Sequence, residues 1–265
     1  MPRLDPLTHR LASHPPSKPV ALMYHAITDH PWPWAISLDK FRRQLGFLHE
    51  HGYSTVTVSE LEDHPAALPY VALTFDDGYA DNLAAIEALC ALGMRATWFV
   101  VTGSLGRKPA WEDPGRPPVK LLSAADLREM HRAGMEIGSH TVSHRDLTTL
   151  TPAQLKRELR DSRLFLEDIL GASVTSFAYP YGCWNETVES AVREAGYRRA
   201  CTTRTGWALL DQNPFQIRRL TIHNRDNLGT FARKLTFGSH EVEWPHILMY
   251  GMRRLLARCS RDTKA

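Results

Sequence analysis

Four cysteines are all that the 265 residues carry, and Cys90, Cys183, Cys201 and Cys259 form neither a Cys-x-x-Cys pair nor a zinc-ribbon spacing. That excludes a disulfide framework and a thiolate metal site. No uninterrupted apolar run is long enough to span a bilayer. The first eighteen residues are polar, with four prolines and two histidines, and lack the basic-then-apolar order of a signal peptide. A cytoplasmic location is therefore expected. A block of lysine and arginine is missing as well, and the formal net charge is only +3, so nucleic acid is excluded as a partner. Internal repeats and low-complexity linkers are absent too. What is present is globular composition, 43% apolar and 23% charged, in a chain long enough for a sizeable core.

Short apolar or β-branched runs alternate with longer amphipathic stretches, the pattern of βα units around a parallel sheet. Seven strands are expected, at Val20 to Tyr24, Val71 to Phe75, Thr97 to Val101, Glu136 to Ser139, Ser176 to Tyr179, Arg199 to Thr202 and Ile217 to Ile222. Helices are marked by the spacing of Phe41, Leu45 and Leu48 before Gly52, and of Leu83, Ile86 and Leu89 before Gly93. Thr151 followed by Pro152 opens a third, with a stripe of Leu155, Leu159, Leu166 and Ile169 and a stop at Gly171. The Gly- and Pro-rich stretch from Thr102 to Lys120 reads as a long loop around Trp111. The fold class expected is α/β, a single domain.

Two short motifs carry chemistry. Thr74-Phe75-Asp76-Asp77-Gly78-Tyr79 puts adjacent carboxylates at the end of an apolar strand, where they repel and resist desolvation unless a cation takes one. The alternative is that they cap the following helix. Gly138-Ser139-His140-Thr141-Val142-Ser143-His144 places two imidazoles four positions apart at another strand end, able to hold one divalent ion. Asp77 can supply a third ligand, leaving an open position. Such a set suits zinc, although cobalt, nickel or manganese bind the same groups. The flanking serine and threonine side chains are expected to hydrogen-bond the ring nitrogens.

These two motifs resemble the first and second motifs of the NodB-homology polysaccharide deacetylases, carbohydrate esterase family 4. Leu22-Met23-Tyr24-His25-Ala26-Ile27, Phe177-Ala178-Tyr179-Pro180-Tyr181-Gly182 and Arg218-Arg219-Leu220 resemble elements of its branch of poly-N-acetylglucosamine deacetylases. The resemblance runs from about Val20 to Leu235 and implies a distorted (β/α)7-type barrel. The domain is then 19–243, between an N-terminal extension 1–18 and a C-terminal segment 244–265. It also implies removal of N-acetyl groups from an amino sugar in a glycan or glycolipid. In that scheme Asp76 is the general base and Asp77, His140 and His144 bind the metal, with a backbone N–H at Tyr181 facing the oxyanion.

Two positions depart from the family pattern. Ala178 stands where many members carry an arginine that orients the base, and Thr202 to Trp207 lacks the aspartates of the fourth motif. Arg219 is the candidate to orient Asp76 by a two-pronged contact; the alternative is an ordinary surface arginine. A histidine must protonate the departing amine, and His25 and His223 compete, with His25 preferred because it ends the first strand. Trp207, Trp111 and Tyr181 offer aromatic faces for sugar rings. Ester hydrolysis, hydrolysis of a non-sugar amide, and a silent glycan-binding module are the rival functions; the last requires loss of one of four residues that are all present.

The segment 244–265 mixes Ile247, Leu248, Met249, Tyr250, Met252, Leu255 and Leu256 with Arg253, Arg254, Arg258, Arg261 and Lys264. It either packs on the outer layer of the barrel or lies on the inner membrane face, its cations on anionic headgroups.

Overall fold

Val20–Tyr24 (β1) and Tyr70–Phe75 (β5) are buried at every residue, as strands covered on both faces must be, and this is why their sequences are continuous apolar runs rather than alternating ones. The computed structural model describes residues 18–64, 69–112, 114–116 and 119–243, together with Thr8. The remaining strands are Ala26–Ile27 (β2), Ala35–Ile36 (β3), Ser54–Val56 (β4), Thr97–Val100 (β6), Glu136–Ser139 (β7), Ser176–Ala178 (β8), Arg199–Cys201 (β9) and Leu220–Thr221 (β10). The main sheet runs β10-β1-β5-β6-β7-β8-β9, with β4 also on β5, and its pairings are parallel.

One short stretch brings the two edges of that sheet together. Ile217 bridges Cys201 at the end of β9, and three residues later Leu220 is in register with Leu22 of β1. The sheet is thereby curled into the distorted (β/α)7-type barrel expected from the sequence, in one domain.

Helices cover the sheet at Leu38–Glu50 (α1), Leu83–Cys90 (α2), Ala124–Arg132 (α3), Pro152–Leu170 (α4), Glu186–Glu194 (α5) and Leu228–Phe237 (α6). The longest, α4, begins as its sequence predicts: the Thr151 side chain accepts from the Gln154 N–H, Pro152 occupies the first turn, and Gly171 closes the helix at φ 66°. Its buried stripe contains Leu155, Leu159, Leu166 and Ile169, each contributing about 1.5–3 kcal/mol on burial.

The sheet has eight strands rather than seven, and three helices were not expected. β2, β3 and β4 are two or three residues long, too short to show a period. α3 buries Leu127 and Met130 alone, and α5 buries Val188 and Val192 alone, so neither has a stripe that stands out from a polar loop. α6 buries Arg233 and Lys234 beside Phe231 and Leu235, which hides its apolar face. The C-terminal segment 244–265 lies outside the described residues, as does most of 1–18.

Because the strands are parallel, their C-terminal ends share one rim, and the residues that follow β1, β5, β7 and β8 meet there. These are His25, the aspartate pair, the two histidines and the Tyr181 turn.

A candidate metal centre beside a clamped carboxylate

β5 ends at the fully buried Phe75, and the chain turns sharply with Asp77 at φ 70° and Gly78 at φ 77°. Glycine is required at 78, since a Cβ there would lie 2.8 Å from the Val100 side chain. The turn leaves both carboxylates inside, 4% and 5% exposed. Neither caps the helix that follows, where no side-chain cap bond is made.

Asp76 is held instead by Arg219, whose Nη1 and Nη2 donate to its two oxygens at 2.6 and 2.7 Å. Arg219 is fully buried rather than a surface residue, and its remaining donors reach the Thr202 carbonyl and the Thr74 hydroxyl at 3.0 and 3.1 Å. Burial alone would raise the pKa of Asp76, but the charge and hydrogen bonds of Arg219 outweigh it and hold the group below the ordinary carboxylate range.

Asp77 faces the imidazoles. Its Oδ1 lies 3.5 Å from His140 Nε2 and 3.2 Å from His144 Nε2, and the three donor atoms fall within 4.8 Å of one another. His140 is oriented from behind by its Nδ1, 2.8 Å from the Ala178 carbonyl oxygen, so its Nε2 lone pair points at the shared space. Burial pushes His140 down to about 4, which keeps that lone pair free at neutral pH. Asp77 is also depressed: burial opposes ionisation, and the His144 ring outweighs it. Two imidazole nitrogens and a carboxylate oxygen, all buried and converging, fit a divalent cation with an open position. They make poor company without one.

The loop carrying His144 is held by a carboxylate of α4 and by a hydroxyl of its own. Glu158 of α4 accepts the N–H groups of Val142 and Ser143, both at 2.9 Å, and the Thr141 hydroxyl accepts the N–H of His144 at 2.9 Å. The Thr141 hydroxyl thus bonds backbone, and the Ser139 and Ser143 hydroxyls donate to Ser162 and Glu158, where bonds to the ring nitrogens were expected; the φ values of 72° at Thr141 and 56° at His144 leave N–H groups that must be satisfied locally. Among the described residues no protein atom bonds His144 Nδ1, and the ring is packed between Trp111 and Tyr181, each with its centroid at 4.6 Å.

Around these groups opens a cleft of about 430 Å³ whose walls include His25, Trp32, Trp34, Trp111 and Tyr181. Asn82 fixes the end of β1 by donating to the His25 carbonyl at 2.8 Å and accepting from the Ile27 N–H at 3.1 Å. The loop bearing Trp111 is pinned by Arg116, buried over the rings of Tyr79 and Trp32 and paired with Asp81 at 3.2 Å. Tyr181 stands at the lip, 58% exposed and at φ 59°.

Two residues singled out by sequence lie elsewhere. Trp207 does not line the cleft; its ring covers Gly238, at the C-terminal stop of α6, where a Cβ would come within 2.7 Å. Hydrophobic packing on a helix end claims it. His223 faces a separate shallow groove on the far side of Trp34. Trp32 and Trp34 were missed, although the alternation Pro31-Trp32-Pro33-Trp34 marks a stiff aromatic arm.

The comparisons agree with this geometry. The family model for polysaccharide deacetylase matches residues 64–200. YxkH of Bacillus subtilis (strain 168), named as a polysaccharide deacetylase, is 32% identical over 213 residues, covering 78% of this chain and 72% of its own. The poly-beta-1,6-N-acetyl-D-glucosamine N-deacetylase of Staphylococcus aureus (strain MRSA252) is 23% identical over 226 residues, 79% of this chain and 74% of its own. The structure of Streptococcus pyogenes deacetylase PplD in complex with acetate superposes with a TM-score of 0.69 at 28% identity, over 80% of this chain and 95% of that one. The match of the family model, the identity to YxkH and the barrel rim with its Asp-His-His cluster agree: this chain belongs to the polysaccharide deacetylase family.

Proposed function

We propose that the chain is a metal-dependent hydrolase that removes the N-acetyl group of an amino sugar in a glycan or glycolipid and releases acetate. One observation carries this reading: a buried carboxylate clamped by arginine, Asp76, adjoins a buried three-donor cluster, Asp77, His140 and His144, in an aromatic-walled cleft. A divalent ion held by the three donors, zinc being the best match to the set, would supply Lewis acidity toward the acetyl carbonyl and lower the pKa of water.

The chain's own groups account for the proton transfers. Asp76, ionised and fixed by Arg219, accepts a proton from the attacking water. His25, at the end of β1 and lining the cleft, gives a proton to the departing amine nitrogen. Each such transfer is worth about 10²–10⁴ in rate. The Tyr181 turn borders the space where the oxyanion develops, and Trp111 and Tyr181 present ring faces to the C–H face of a pyranose. The Staphylococcus aureus relative, by its name, acts on poly-beta-1,6-N-acetyl-D-glucosamine, which supports an N-acetylated amino sugar as the substrate class.

The test is acetate release from N-acetyl and O-acetyl sugars by metal-stripped and metal-reconstituted protein. Release from N-acetyl sugars that vanishes on stripping and returns with the ion supports the proposal. Release from O-acetyl sugars alone would make the chain an esterase.

A further inference from the structure

His140 and His144 are aimed in different ways. The His140 ring is turned by its own contact with the Ala178 carbonyl. Among the described residues no protein atom bonds Nδ1 of His144, so the direction of that ring depends on the backbone that carries it and on the rings packed beside it. That backbone is strained. Thr141 and His144 stand at φ 72° and 56°, in the left-handed region where a β-branched residue is an outlier. Such a loop persists only where its surroundings hold it.

Each N–H of the loop has a partner. The Thr141 N–H donates to the Ser139 hydroxyl at 3.3 Å and the His144 N–H to the Thr141 hydroxyl at 2.9 Å. The two in the middle, of Val142 and Ser143, both go to one oxygen, Oε2 of Glu158, at 2.9 Å, while Oε1 accepts the Ser143 hydroxyl at 2.5 Å. The carbonyl oxygens of Thr141 and Val142 are held from the other side by the backbone N–H groups of Thr102 and Gly103, at 3.1 and 2.8 Å. Four residues along α4 from Glu158, the Ser162 hydroxyl accepts from that of Ser139 at 2.9 Å. Residues four apart share a helix face, so α4 grips the chain on both sides of His140. The middle of the loop rests on a single carboxylate.

We infer that Glu158 is a positioning residue for the metal ion. It holds the loop from Thr141 to His144 in the shape that brings His144 Nε2 to the same point as His140 Nε2 and Asp77, and so sets the affinity of the site. Reach, more than charge, is what this role demands. A glutamine keeps the length: its amide oxygen accepts both N–H groups, and its NH2 donates to the Ser143 hydroxyl, which accepts as readily as it donates. An aspartate keeps the charge but is one methylene shorter, and does not span from α4 to both N–H groups. Groups that orient a metal ligand in this way are worth about 10–100-fold in affinity. The role rests on the metal reading of Asp77, His140 and His144 above and needs no particular substrate.

The experiment measures the zinc dissociation constant of metal-stripped wild type, Glu158→Gln and Glu158→Asp by competition with a chelator, together with amide hydrogen exchange over 141–144. Ile169→Ala, which removes a buried side chain about 16 Å further along the same helix, is the control for lost stability. Glu158→Gln is expected to bind within about threefold of wild type. Glu158→Asp binds about 10–100-fold more weakly and exchanges the Val142 and Ser143 amides faster. Ile169→Ala unfolds at a lower temperature yet keeps its affinity within about twofold, as a distant site should. An aspartate variant that binds zinc as tightly as the wild type overturns the role of Glu158. So does a glutamine variant as weak as the aspartate one, since charge and not reach would then be at work. Equal weakening in Ile169→Ala overturns it too, because any loosening of α4 would have the same effect. A wild type that takes up no zinc removes the metal reading itself, and this role with it.

Discussion

Arg219 and Asp76 stand 143 positions apart in the chain and meet through two parallel hydrogen bonds of 2.6 and 2.7 Å, with neither side chain more than 5% exposed. A buried pair of this kind is costly to break from one side, because the survivor keeps its charge without a partner. Arg219→Met is predicted to lose about 3–5 kcal/mol of folding stability, read by urea unfolding. The same change removes the charge that holds Asp76 below its ordinary pKa. Activity that needs the carboxylate ionised is lost as pH falls through that pKa, so the acid limb of kcat/KM moves to higher pH in the variant. An unmoved limb would show that Asp76 is not the base. Asp76→Asn is expected to keep the metal and lose about 10²–10⁴ in turnover.

The metal assignment has its own test. Purified protein should hold about one divalent ion per chain by elemental analysis. Because His140 Nε2 and His144 Nε2 both converge on Asp77, His140→Ala leaves two donors, and most of the bound ion should be gone after dialysis. Full occupancy in that variant would place the ion elsewhere.

The aspartate pair and the two histidines were legible in the sequence because each sits directly after a buried strand, and strand ends of a parallel sheet share one rim. The contact of Arg219 with Asp76 was legible only as one of two alternatives, since a strand-end arginine reads the same whether it points in or out; the short crossing from Ile217 to Leu220, which turns it inward, has no sequence period. Trp207 was misplaced for a related reason: an aromatic residue in a loop carries no mark of whether it meets ligand or covers a helix end such as Gly238. The Ala178 carbonyl was not foreseeable at all, because it orients His140 through backbone, which side-chain identity does not encode.

His25 lines the cleft and His223 does not. On a single N-acetyl sugar, His25→Ala should depress kcat by about 10²-fold or more, whereas His223→Ala should change it by roughly twofold at most. If His223→Ala is the more damaging of the two on this substrate, proton donation passes to His223.

His240 couples the last described loop to the sheet, its Nε2 accepting the N–H of Thr221 at 2.7 Å, which only the unprotonated nitrogen can do. Part-burial, with the charge of Lys234, pushes its pKa down from the ordinary 6.5 to about 4. Such a group binds fewer protons folded than unfolded, so its contribution to stability is complete above pH 6.5 and is lost as pH falls toward about 4. His140 titrates in the same sense and window, so the wild-type curve alone does not isolate His240. The difference from His240→Gln does. In metal-free protein the variant should be less stable by about 1 kcal/mol at pH 7.5, a figure kept well below the full pKa shift because the ring is only part-buried. That gap should shrink as pH falls through the window, since the variant has no imidazole to protonate there. Parallel stability curves for the two proteins between pH 7.5 and 4.5 would mean that the Thr221 contact does not depend on His240 being neutral.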